Sequence, residues 1–231
     1  NAQSNANTFS FAVVGDVPYG KKALARFPEL VHSIESSSTD FGIHIGDIKA
    51  GSASCSDEML SSRIQAIDAI NKPMVYVPGD NDWTDCHRRR AGRFNPLERL
   101  DFLRRQAFSK PGQSLGQPPM QVDTQATETG FQQFPEHQRW SHNNTAFMTI
   151  HVLGSANGFE GFSGRIEADD AEVKRRIQAS IQWLQASMAQ AIAGGASAAV
   201  VAIHGNPLDF SESRAARYDI HPYEGIMSEL K

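Results

Sequence analysis

The sequence predicts an α/β domain built on a mainly parallel sheet. Short β-branched and aromatic runs at 9–14, 41–45, 74–77 and 198–203 are too short for buried helices and too apolar for surface loops, so they read as buried strands. Helically spaced apolar residues separate the first three, which is the β-α-β-α-β rhythm of parallel crossover units. Each run also ends in side chains able to do chemistry: Asp16, Asp47, the trio Asp80, Asn81 and Asp82, and His204. Ligands of open α/β sheets gather beyond the carboxyl ends of the strands, so these four ends are expected at one sheet edge, with 75–77 as a central strand.

Taken in order, the turn Val17-Pro18-Tyr19-Gly20 leads into a helix over 21–38, with Ala23, Leu24, Phe27, Leu30, Val31 and Ile34 at helical spacing around Pro28. Ser56 followed by Asp57 and Glu58 predicts a helix start, since a hydroxyl caps free amides and carboxylates suit the positive end of the dipole. Leu60, Ile64 and Ile67 form its buried stripe. A third helix is expected over about 96–108, carried by Leu97, Leu100, Phe102 and Leu103. From 109 to 144 periodicity fails amid Lys-Pro-Gly, Gln-Pro-Pro and many glutamines, which predicts a long loop insertion acting as a lid or lying disordered, with Phe131, Phe134 and Trp140 packing parts of it down. A strand over 145–153 follows. The longest helix steps through Val173, Ile177, Ile181, Leu184, Met188 and Ile192 and ends at Gly194-Gly195. Pro222 opens a last helix bearing Tyr223, Ile226, Met227 and Leu230 on one face.

With 231 residues and 40% hydrophobic content, one large domain with a real core is expected. A net charge of −4 supplies no basic field, against a dedicated nucleic-acid binder. No apolar run approaches the roughly 20 residues of a membrane span. The polar opening Asn-Ala-Gln-Ser suits the mature end of an exported, secreted or periplasmic protein. Cys55 and Cys86, the only cysteines, each follow an acidic strand end; if those strands are neighbours, a disulfide staples two site-forming loops, the alternative being two free thiols.

Carboxylates, an amide oxygen and an imidazole at one edge form a ligand set for a hard or borderline divalent ion. With Gly15-Asp16, Gly46-Asp47-Ile48-Lys49-Ala50-Gly51, Gly79-Asp80-Asn81-Asp82 and His204-Gly205-Asn206-Pro207 in this order, the chain resembles the calcineurin-like metallophosphoesterase superfamily, over all but 109–144. The resemblance implies a four-layer α/β/β/α sandwich holding two divalent ions, of manganese, iron, zinc or magnesium. Asp16 and Asp47 would bind the first ion and Asp47, Asn81 and His204 the second, with a metal-activated hydroxide attacking the phosphorus of a phosphate ester in line.

The departures from that family pattern are specific. Pro18 stands where the first motif carries a histidine, and Tyr19 beside it substitutes only if the turn presents its phenolate. In the third motif either Asp80 takes the asparagine's slot or Asn81 keeps it, Asn81 being preferred. That motif's histidine is missing, leaving Asp82 and His87 as the candidate catalytic groups. Three arginines in a row read first as a solvated face, but Arg88 beside the acidic turn is a candidate for substrate oxygens, with Asn157 beyond the 145–153 strand. The final Gly-His-x-His motif is absent, so further C-terminal strands are expected beyond residue 231. A non-catalytic relative with a degenerate metal site is the competing reading, while a Rossmann-type binder is disfavoured because no G-x-G-x-x-G opens the first helix.

Overall fold

The computed structural model describes residues 8–207 and 221–230. Strands β1 (Phe11–Val14), β2 (Phe41–His44) and β3 (Met74–Tyr76) form a parallel sheet in that order, with helices α1 (Gly20–Ser36) and α2 (Asp57–Asp68) as crossovers. The central strand is therefore β2, whose four residues are all buried, rather than β3. The outer edge of β3 is closed by a reciprocal backbone pair with Leu115, at 2.7 and 2.9 Å. Ser56 caps α2 as expected by accepting from the Met59 amide at 3.3 Å. Asn95 does the same for α3 (Pro96–Ala107) by accepting from Glu98.

The second sheet has the order β4 (Asp123–Thr124), β5 (Gln138–His142), β6 (Thr145–Thr149) and β7 (Ala198–Ala202). The first three are antiparallel and β7 runs parallel to β6, a connection that requires the long crossover helix α4 (Glu167–Ala193). Two expectations change here. The 109–144 stretch is not a lid: it supplies β4 and the interior strand β5, with Phe134, Trp140 and Gln138 buried. The strand leading to His204 belongs to this second sheet, so the four active strand ends come from two sheets rather than one edge.

Side-chain alternation sorts the core into layers. Phe41, Ile43, Val75 and Val77 of the first sheet meet Trp140, Phe147 and Ala202 of the second in one cluster. The opposite face of the first sheet, through Met74 and Tyr76, packs on Ile34 of α1, Leu60 and Ile64 of α2, and Leu100 and Leu103 of α3. On the far side of the second sheet, Met148 and Ile150 pack on Trp183 and Leu184 of α4 and on Ile226 of α5 (His221–Glu229). The predicted stripes overstate burial at two places: α1 buries only Ile34, and Ile192 is 75% exposed near the end of α4.

A polar network ties the layers together. Fully buried Glu136 accepts from both Arg104 of α3 and His151 Nδ1, the latter at 2.8 Å, while His151 Nε2 accepts from Trp83 Nε1 at 3.2 Å. Burial would raise the Glu136 pKa, but the charge of Arg104 and the bond from His151 hold it well below the carboxylate range. Burial drives His151 down to about 3, so the ring is neutral and carries its proton on Nδ1.

Candidate metal centre

Two loops approach as closely as backbone allows to build the site. A Cβ on Gly46, which lies at φ +90, would sit 2.4 Å from the Gly79 nitrogen, and one on Gly79 would sit 2.2 Å from Asp47 Oδ1. Asp47 follows in the left-handed region at φ 58, which swings its carboxylate off the strand axis towards the third strand end. The Cys55–Cys86 disulfide, with Cα atoms 5.8 Å apart and both residues fully buried, pins the loops after β2 and β3 together. A bridge of this kind contributes about 2–4 kcal/mol.

Asp82 anchors this junction. Its carboxylate accepts from the amides of Asp47 at 2.9 Å, Ile48 at 2.9 Å and Gly79 at 2.8 Å, and from Tyr76 Oη at 2.7 Å. With its oxygens engaged and no exposure, it cannot exchange protons with a substrate, which corrects its expected catalytic role. It positions Asp47 instead.

Asp47, Asp80 and His204 converge, each offering one ligand atom within 4.8 Å of the others. His204 Nδ1 lies 2.7 Å from the Ile45 carbonyl, which fixes the ring and turns Nε2 towards Asp47 Oδ1 at 3.5 Å and Asp80 Oδ1 at 3.6 Å. An imidazole held this way through Nδ1 is the usual arrangement of a metal-ligating histidine. Burial, then the charges of Asp82 and Asp80, raise Asp47 to about 8. Burial works against ionisation of Asp80 too, yet the bond and charge of His204 and a bond from Ser155 bring it down to about 2. Burial would lower His204, but Asp80 and Asp47 raise it to about 9. Carboxylates this crowded retain protons on Asp47 and His204, which a cation could replace, and two oxygens with one nitrogen suit a divalent ion of borderline hardness. These three residues could hold a metal.

The other predicted ligands flank the triad. The Asn81 amide nitrogen donates to Asp47 Oδ2 and to Tyr19 Oη, the latter at 2.9 Å. Asp16, also left-handed at φ 59, is exposed and is linked to Asp47 through Tyr19, whose hydroxyl lies 3.0 Å from Asp16 Oδ1 and hydrogen-bonds Asp47 Oδ2. Burial, reinforced by Asp47, pushes the Tyr19 pKa far up, so the phenol keeps its proton. Lys49 is 1% exposed, and among the described residues no carboxylate lies within salt-bridge distance of its Nζ.

Of the predicted substrate and catalytic groups, Arg88 stands closest to its expected place. It pairs with Asp85 at 2.6 Å and Glu160 at 3.0 Å, is 41% exposed, and reaches Ser155 Oγ at 3.4 Å. His87 instead stacks on Phe162 with centroids 4.3 Å apart, its Nδ1 held by the Thr84 carbonyl at 2.7 Å. Asn157 is 1% exposed and serves the fold: its Oδ1 accepts from the Leu153 amide and from Arg176. Neither joins the cluster, because His87 is committed to Phe162 and Thr84 and Asn157 to Leu153 and Arg176.

Sequence reasoning passed over Ser155 and Asp85. Ser155 Oγ lies 2.9 Å from Asp80 Oδ2 and 3.0 Å from Asp85 Oδ1. Burial and the charge of Asp80 raise Asp85 to about 7. The Gly154-Ser155 pair beyond the 145–153 run was the available signal, since it is another strand end with a hydroxyl. No family model matches the chain, and no curated protein does.

Proposed function

We propose that this chain is a metal-dependent phosphoric ester hydrolase of the calcineurin-like metallophosphoesterase type. The observation that carries the reading is the convergence of Asp47, Asp80 and His204 from the ends of strands in two sheets. The layer order accords with the four-layer sandwich of that superfamily: α1–α3, first sheet, second sheet, then α4 and α5. Asp47, Asp80 and His204 would hold one ion, while Asp16, Asp47 and Asn81 would serve a second. Bound there, divalent ions acidify water and neutralise charge developing on phosphoryl oxygens. Arg88, half exposed at the rim, offers a planar donor pair to the same oxygens. Asp82 and the Ile45 carbonyl fix the angles of Asp47 and His204. The buried disulfide suits an oxidising compartment, and no described helix is long and apolar enough to cross a membrane.

One observation favours a second reading, a binding protein with a single ion. The Tyr19 hydroxyl spans Asp16 and Asp47, and the Asn81 nitrogen rather than its oxygen faces Asp47. Elemental analysis after equilibration with manganese, paired with hydrolysis of an aryl phosphate monoester and diester, separates the two. The hydrolase reading expects close to two ions per chain and turnover, both lost in Asp47→Asn. One ion without turnover supports the binding protein, and absence of metal overturns both.

A further inference from the structure

We infer that Ser155 is a positioning residue for the metal ligand Asp80, held in place by a left-handed turn; this rests on the metal-centre reading above. Residues 155–157 lie at φ 51, 53 and 53, a run of three non-glycine residues in the left-handed region. Such a conformation is unfavourable for serine and alanine, and it persists only where surroundings enforce it. Here the enforcing contacts are visible: Arg176 donates to the Asn157 carbonyl at 2.8 Å, and Tyr223 Oη accepts from the Asn157 amide at 2.9 Å. The turn also presses against Asp80, since a Cβ on Gly154 would stand 2.5 Å from Asp80 Oδ2.

What the turn delivers is one hydroxyl between two carboxylates. Ser155 has a single hydrogen to donate. Asp85 already has a counter-charge in Arg88 at 2.6 Å, whereas Asp80, whose Oδ1 faces the imidazole, has the Ser155 hydroxyl 2.9 Å from Oδ2. The hydrogen therefore belongs to Asp80 Oδ2, which fixes the carboxylate plane and leaves Oδ1 turned towards His204 Nε2 and the ion position. Hydrogen bonds of this kind behind a ligand typically change metal affinity 10- to 100-fold.

The test compares Ser155→Gly, Ser155→Ala and Ser155→Asn by calorimetric titration with manganese and by thermal melting of the metal-free protein. Glycine removes the hydroxyl while easing the left-handed backbone, so its Tm stays at or above wild type as manganese affinity falls about tenfold or more. Alanine loses the same affinity with a lower Tm. Asparagine, which tolerates the conformation and carries an amide donor, regains part of it. Wild-type affinity in Ser155→Gly overturns the inference, as does affinity that merely tracks Tm across the series. Absence of manganese binding by the unsubstituted protein overturns the metal-centre reading and this inference with it.

Discussion

Two regions of this molecule bury the same residue types and treat them in opposite ways. Around Glu136, one carboxylate, one guanidinium and one neutral imidazole sum to no net charge, and every polar contact closes within the chain. Around Asp47, carboxylates gather with one shared imidazole, and both Asp47 and His204 are driven towards protonation. Burial by itself therefore says little about function; the charge balance does. A closed network serves the fold, whereas an open one calls for a partner from solution.

The largest expected effect breaks the closed side. Glu136→Ala leaves Arg104 charged, buried and unpaired, and should lower unfolding free energy by about 3–5 kcal/mol in urea titration. Manganese binding by the folded variant should remain at the wild-type level. A cost below about 1 kcal/mol would show that water reaches Arg104 and that the network is less closed than its contacts state.

Next in size is a pH effect at His137, the neighbour of Glu136. This ring is fully buried, lies 2.6 Å from Gln125 Oε1, and is lowered to about 4 by burial. The unfolded chain binds its proton near 6.5, so the native state loses stability as pH falls from 6.5 towards 4. His137→Gln lacks that titration. The variant is less stable at pH 7, and its deficit should shrink on acidification by about 1.4 kcal/mol per pH unit. A deficit constant between pH 7 and 4 would mean that folding does not lower the His137 pKa.

How far these two regions could be read in the sequence differs for a physical reason. The cluster of Asp47, Asp80 and His204 is legible because strand ends in α/β folds point to a common side, so local pattern implies convergence. Asp82 is hard to tell from Asp80 by sequence position alone; contacts that include the amides of Asp47 and Ile48, 35 and 34 residues away, turn it inward. Strand β5 was hidden for a related reason. Gln138 is a polar residue buried in the strand, its backbone amide donating to Thr149 Oγ1 at 2.8 Å, so hydropathy alternation never surfaced. Helix α1 was legible as a helix but not in its burial, since periodicity identifies an apolar face and not what covers it.

The smallest expected change in stability is the sharpest test of the contrast. Asp47→Asn keeps the neutral state that crowding already favours at Asp47, while the new amide oxygen can still accept from the Asn81 backbone nitrogen, now 3.0 Å from Asp47 Oδ1. The bonds that Asp47 Oδ2 accepts from Tyr19 and the Asn81 side chain must rearrange, at a cost on the order of 1–2 kcal/mol in total, and the lasting neutrality of the amide beside Asp80 and Asp82 offsets part of it. Metal-free Asp47→Asn should therefore unfold within about 1 kcal/mol of wild type in urea, although it loses metal. If the substitution instead costs as much as Glu136→Ala, Asp47 belongs to a closed structural network. The crowded carboxylates at the strand ends would then be satisfied inside the fold and would not call for an ion.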